Sequence, residues 1–197
     1  ALQAGAEVGC GRLEALALRA PLELTPRDRV RLQVSVGPPA DGCRPVSVHS
    51  RPEGSPEWLL HAEGTVAPPR PPDAEAHAFG LGQWPPEKAE AVDVEEFYAT
   101  IAEWGYGYGP SYRGITAAWR SGNEVFADIR LGDDHCSAAA YFGIHPGLFD
   151  AALHGFLVER MNRGDTDLAL PSAFTGVELF TPGATAVRVR LTCHQDD

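Results

Sequence analysis

One stretch of this chain, residues 145–161, reads as a long buried helix, and most of what surrounds it reads as strand. His145-Pro-Gly-Leu-Phe-Asp150-Ala-Ala-Leu-His154 opens it, with Pro146 at a first helical position, where a missing N–H costs nothing. Phe149, Leu153, Phe156 and Leu157 supply an apolar stripe at helical spacing. Earlier in the chain, Val30, Leu32, Val34 and Val36 alternate with polar residues, the period of a half-buried strand. Turn chemistry at 38–43 leads into a return strand at Val46–Ser50, and Trp58–Val66 reads as a third strand.

The second half begins with a shorter helix. Asp93 followed by Glu96 is a capping-box-like start, and Val94, Phe97, Ile101 and Trp104 recur at helical spacing. Gly105-Tyr-Gly-Tyr-Gly-Pro110 ends it. Strands are predicted at Tyr112–Trp119 and Val125–Leu131, joined by a tight turn at 120–123. Two more are predicted near Thr175–Phe180 and Ala186–Leu191. The order lacks the regular alternation of a parallel sheet and predicts an α+β fold with antiparallel sheet.

Pro-Pro pairs at 68–69, 71–72 and 85–86, with interspersed acids, favour an extended linker between two halves. The expected division is 1–66, a linker at 67–92, and 93–197. Both ends read as cut. The opening Ala-Leu-Gln-Ala-Gly looks like a last helical turn with its Gly stop, and the chain closes directly after a strand-like alternation.

With 44% hydrophobic residues, the 197-residue chain can bury a sizeable interior. Its formal charge of −11 argues against a nucleic-acid or anionic-membrane partner, either of which needs a basic face. No run of about 18 apolar residues predicts a membrane span. Cys10, Cys43, Cys136 and Cys193 are widely spaced and form no CxxC pair, which favours reduced thiols in the cytoplasm.

The candidate chemistry sits on the long helix. Asp150 and His154 are four residues apart, so they share a face with Cβ atoms roughly 5–6 Å apart. Such pairs are ordinarily solvated surface pairs. A polar pair on so apolar a helix, however, costs free energy unless it is hydrogen-bonded or has a task. Other motifs carry less. The 105–114 glycine-rich stretch lacks the Gly-Lys-Ser/Thr ending of a phosphate loop. His135-Cys136 beside Asp133 and Asp134 reads as a solvated acidic loop, since no second cluster has metal-ligand spacing. Ser111 and Ser172 have no nucleophile-elbow context.

Four segments together resemble the dehydratase domain of modular type I polyketide synthases. Gly105-Tyr-Gly-Tyr-Gly-Pro-Ser-Tyr-Arg-Gly114 is similar to the family's GYxYGPxFxG signature, and His145–His154 to its HPALLDAALH-type motif. Leu170-Pro-Ser-Ala-Phe-Thr-Gly-Val-Glu-Leu179 resembles LPFSWxGVxL. Glu7–Glu14 with Ala20–Leu24 resembles the stretch after the first central helix.

The resemblance implies a double hotdog, two helices each wrapped by antiparallel sheet, with the first hotdog incomplete. It implies removal of water from a 3-hydroxyacyl thioester carried on the phosphopantetheine of an acyl carrier protein, without metal or organic cofactor. Neighbouring synthase domains and a second copy of the chain are the other implied partners. By this resemblance Asp150 is the general acid, and His154 holds it or the substrate hydroxyl. Tyr108, Gly109, Pro110, Phe149, Leu170 and Pro171 border the substrate.

General-acid work near neutral pH needs a raised carboxyl pKa. A helix N-terminus opposes that, so desolvation in an apolar acyl channel must outweigh it. Two departures stand out. None of the seven histidines begins the family's HxxxGxxxxP base motif, which in the family lies upstream of where this chain starts, and His145 matches a non-catalytic position at the start of the helix. Phe174 stands where the family usually has Trp. Ring closure by oxa-Michael addition in the same cavity, or a non-catalytic hotdog kept for docking, are the rival readings.

Overall fold

The computed structural model describes residues 1–24, 29–71 and 82–194. In chain order the elements are α1 (Leu2–Ala6), β1 (Arg12–Leu18), β2 (Val30–Val36), β3 (Arg44–Pro52), β4 (Leu59–Ala67) and β5 (Glu90–Val92). There follow α2 (Val94–Glu103), β6 (Ile115–Ser121), β7 (Glu124–Arg130), α3 (Asp133–Cys136), α4 (Pro146–Arg163), β8 (Ala173–Glu178) and β9 (Ala186–Thr192). They fall into two compact units: Ala1–Pro71 with Leu170–Phe180, and Pro72–Ala169 with Thr181–Asp197.

The first unit is a five-stranded sheet in the order β2-β3-β4-β1-β8, every pairing antiparallel. Cys10, Leu13, Val46 and Val66 form its buried core, with Phe174 and Val177 of β8 packed on it. The start of the chain departs from expectation. α1 continues past Gly5 to Ala6, and Gly5 is buried where any Cβ would strike the Cys10 carbonyl and press on Val66. Gly5 therefore permits close packing and is not a helix stop.

A second departure concerns the division of the chain. The strand expected near 175–180 forms, but it pairs with β1 of the first unit, Leu16 opposite Phe174 and Leu13 opposite Val177. Cross-strand pairing depends on a partner far away in sequence, which local periodicity cannot reveal. The expected linker also shrinks at both ends. Ala67 closes β4, and Glu90–Val92 pair with β6; residues 72–81 lie outside the described residues.

In the second unit, a four-stranded antiparallel sheet, β5-β6-β7-β9, lies against α4. Phe97, Ile101, Val125, Ile129, Leu148, Ala151 and Val158 fill the space between. Asp93 caps α2 by accepting from the Glu96 N–H at 3.0 Å, as its spacing predicts. The buried face of α4 keeps only Leu157 of the predicted stripe. It runs through Leu148, Ala151, His154, Gly155 and Val158, while Phe156 is 45% exposed under the Arg160 guanidinium. Small residues let the helix lie close to the sheet: the Cβ position of Gly155 is 3.5 Å from Val125 and 3.7 Å from Leu191.

Two local expectations are corrected. Pro110–Tyr112 forms a 3-10 turn, so the strand after it starts at Ile115 and not at Tyr112. The 133–136 segment, expected as a loop, is a single helical turn. The fold is the expected α+β double hotdog; among the described residues, the first sheet carries only the five-residue α1. All four cysteines are free thiols. No helix among the described residues is long and apolar enough to cross a membrane.

Candidate active site

The site is built on the first turns of α4. His145 caps the helix: its Nδ1 accepts the Gly147 N–H at 3.1 Å and its carbonyl accepts from Leu148 at 2.9 Å. That use of the imidazole is structural. With the start of the helix held, Asp150 and His154 fall on one face, and His154 Nε2 lies 3.2 Å from Asp150 Oδ2.

Burial divides the pair unevenly. His154 is 1% exposed, whereas the Asp150 side chain is 38% exposed. The desolvation expected at the carboxyl group falls chiefly on the imidazole beside it. His154 is enclosed by two tyrosines: the Tyr108 ring is 4.1 Å from it and the Tyr98 ring 5.8 Å, edge-on. Tyr108 in turn stacks on Tyr106 at 6.2 Å.

The signature loop is held in place by its own hydrogen bonds. Gly105, at φ +101, occupies backbone space that L side chains rarely adopt, and it turns the chain sharply out of α2. The Tyr106 hydroxyl is tied to both backbone groups of Ala169, and the Arg113 Nε–H donates to the Tyr108 carbonyl at 3.0 Å. Gly109 and Pro110 are exposed, with open space where a Gly109 Cβ would lie, so backbone is bare there.

Burial pushes the Tyr108 phenol up to about 12, with the Asp150 charge and the neighbouring tyrosines adding to it. Tyr98 is also raised, by burial first; the Ile115 N–H and Arg113 oppose the shift, and Asp150 adds to it. Both are therefore hydroxyl donors throughout the neutral range. The arrangement offers a half-open carboxyl group, a buried imidazole bonded to it, and a phenol proton donor against the imidazole.

Of the residues singled out in sequence, Asp150, His154, Tyr108, Gly109, Pro110 and Phe149 belong to this unit, Phe149 half-buried on α4. Leu170 and Pro171 belong to the other unit, where both are exposed ahead of β8; Leu170 is 75% exposed. Phe174, the departure from the family pattern, packs on the core of that first unit. Tyr98 was not singled out. Its signal was its place four residues after Val94 on the apolar side of α2, which reads as ordinary core.

Comparison with known proteins gives a consistent picture. A model of the polyketide synthase dehydratase domain matches residues 1–51, and a model of the polyketide synthase dehydratase N-terminal domain matches residues 76–197. Mycoketide-CoA synthase of Mycobacterium tuberculosis is 46% identical over 194 residues, 97% of this chain and 5% of that protein. The spectinabilin polyketide synthase system protein NorB of Streptomyces orinoci is 43% identical, over 98% of this chain and 9% of that protein. The chain thus spans less than a tenth of either relative. Among solved structures, the dehydratase domain from the terminal module of the rifamycin polyketide synthase superposes with a TM-score of 0.86 at 42% identity. The match covers 98% of this chain and 68% of that one. The bifunctional dehydratase-cyclase domain in ambruticin biosynthesis gives 0.87 at 37% identity, covering 99% and 68%.

Proposed function

This chain belongs to the polyketide synthase dehydratase family, and from that premise we propose that it removes water from a 3-hydroxyacyl thioester held on an acyl carrier protein. A base takes the α-proton, the C–C double bond forms, and the C3–O bond breaks. Asp150 gives its proton to the departing hydroxyl, which leaves as water. The product is an α,β-unsaturated acyl thioester. Tyr108 donates to the same hydroxyl, and His154 holds the carboxyl group. The base is the histidine of the family's HxxxGxxxxP motif, a pattern that none of this chain's own histidines begins.

The observation that carries this reading is the 3.2 Å bond from the buried His154 to a carboxyl group that stays 38% exposed. A buried imidazole orients a carboxyl group that stays reachable, which puts the group where a substrate hydroxyl could come within hydrogen-bond reach of it. Tyr108, its ring 4.1 Å from His154, adds a proton donor that stays protonated.

Asp150→Asn, in the complete domain with its carrier protein, tests the reading on a 3-hydroxyacyl thioester. Dehydration falls by about 10²–10⁴-fold, the usual contribution of a positioned acid. Undiminished turnover removes Asp150 from the mechanism. Likeness to the ambruticin dehydratase-cyclase makes the product worth identifying. A cyclic ether in place of the open-chain enoyl thioester would establish ring closure.

A further inference from the structure

We propose that Tyr98 is a positioning residue that holds His154 in the single tautomer presenting an N–H to Asp150. The inference rests on the assignment of Asp150 as the acid and concerns how that acid is held.

The Tyr98 oxygen lies 3.2 Å from the Ile115 backbone nitrogen and 3.2 Å from His154 Nδ1. The Ile115 N–H can only donate, so it takes one acceptor site of the phenol oxygen. Tyr98 is 5% exposed, and its own proton also needs an acceptor, because a buried donor left unbonded has lost its water without replacement. Nδ1 is that acceptor if it is bare. A neutral imidazole has one N–H, so a bare Nδ1 puts the proton on Nε2, which faces Asp150 Oδ2 at 3.2 Å.

The opposite tautomer fails at the Tyr98 end: Nδ1–H would donate to the phenol oxygen and strand the Tyr98 proton. A protonated Asp150 carboxyl group accepts from Nε2–H or donates to bare Nε2, so the choice falls to Tyr98. An imidazolium strands the phenol proton in the same way and adds a charge to a residue that is 1% exposed. The donor sequence Ile115 N–H to Tyr98, Tyr98 O–H to His154 and His154 Nε2–H to Asp150 therefore runs in one direction. Oδ2 of Asp150 is committed as an acceptor, and the other carboxyl oxygen carries the proton that the substrate hydroxyl receives.

Nitrogen-15 NMR of the histidines in the intact protein at neutral pH tests this directly, and it does not depend on whether the protein dehydrates anything. The wild type shows His154 with protonated Nε2 and bare Nδ1; an Nδ1–H tautomer or an imidazolium overturns the proposal. In Tyr98→Phe, His154 becomes a tautomeric mixture. A spectrum unchanged by the substitution also overturns it. In turnover, Tyr98→Phe lowers kcat about tenfold to a hundredfold with little change in KM, the range for outer partners that orient a functional imidazole. Its effect shrinks to within about threefold when His154 is already Gln, because a side-chain amide has no tautomer to set. An undiminished effect in that background means Tyr98 does not act through His154. If Tyr98→Phe fails to fold, the wild-type spectrum alone decides the matter.

Discussion

The Tyr106 hydroxyl makes two bonds to one residue: it donates to the Ala169 carbonyl at 2.8 Å and accepts the Ala169 N–H at 2.6 Å. Sixty-three residues separate the two, so a side chain from the signature loop fixes the chain where it leaves the region of α4. The outermost tyrosine of the stack beside His154 is thereby a structural anchor.

Tyr106→Phe keeps the ring stacked on Tyr108 and removes both bonds. Loss of two hydrogen bonds to a half-buried peptide costs about 1–2 kcal/mol. Denaturant unfolding reads that cost. Hydrogen exchange at the Ala169 amide rises specifically, and an amide that exchanges as slowly as in the wild type shows that Tyr106 does not hold it.

Alkaline pH destabilises the second unit through its tyrosines. A phenol whose folded-state pKa is raised holds its proton more tightly when folded. Its contribution to stability is complete below about pH 10 and is lost as pH rises toward the folded value. For Tyr108 that window runs from about 10 to about 12. Ultraviolet titration shows late-ionising phenol absorbance, and Tyr108→Phe removes part of it. Titration of the substituted protein with an unchanged late component would place the shifted phenol elsewhere.

Gly114 sets how closely β6 approaches α4. A Cβ there would lie 2.9 Å from the Ala151 Cβ and 3.1 Å from Ile129, and Ala151 directly follows Asp150. Gly114→Ala forces the helix outward and costs about 1–3 kcal/mol. Turnover falls with it, since a small misplacement of an acid is expensive. Adding Ala151→Gly opens the space again and recovers part of both losses; a double variant worse than the single one contradicts this account.

Gly64 plays the corresponding part in the first unit. It pairs with Leu16 of β1 just beyond the irregular register between Leu13 and Ala15. A Cβ at 64 would run into the Ala15 backbone carbonyl. Backbone cannot swing aside as a flexible side chain can, so Gly64→Ala destabilises by about 3 kcal/mol or more. A melting temperature within a degree or two of wild type would refute that.

The elements closest to the chemistry were legible because their signals are local. Pro146 and the spacing of Asp150 and His154 mark the start of α4, and Asp93 with Glu96 marks the start of α2. The alternation at 30–36 places β2 to the residue, but the half-buried face it predicts does not form, since Leu32 and Val34 are exposed. What escaped were features with distant partners. Ala173–Glu178 carries a clear strand pattern, yet its neighbour is β1, more than 150 residues earlier. Phe156 looked like part of the buried stripe, but the sheet meets α4 along Ala151, Gly155 and Val158, where small side chains allow close approach.

The amino-acid order alone determined that Asp150 and His154 share one face of a capped helix, because helical geometry repeats every 3.6 residues whatever surrounds it. Only the tertiary structure decided what surrounds that face. Folding brings Tyr98 from α2 and Tyr108 from the loop after it against His154, burying the imidazole while the carboxyl group stays within reach of solvent. Spacing along one helix cannot assign burial, since burial is a property of the surfaces that other segments bring to it.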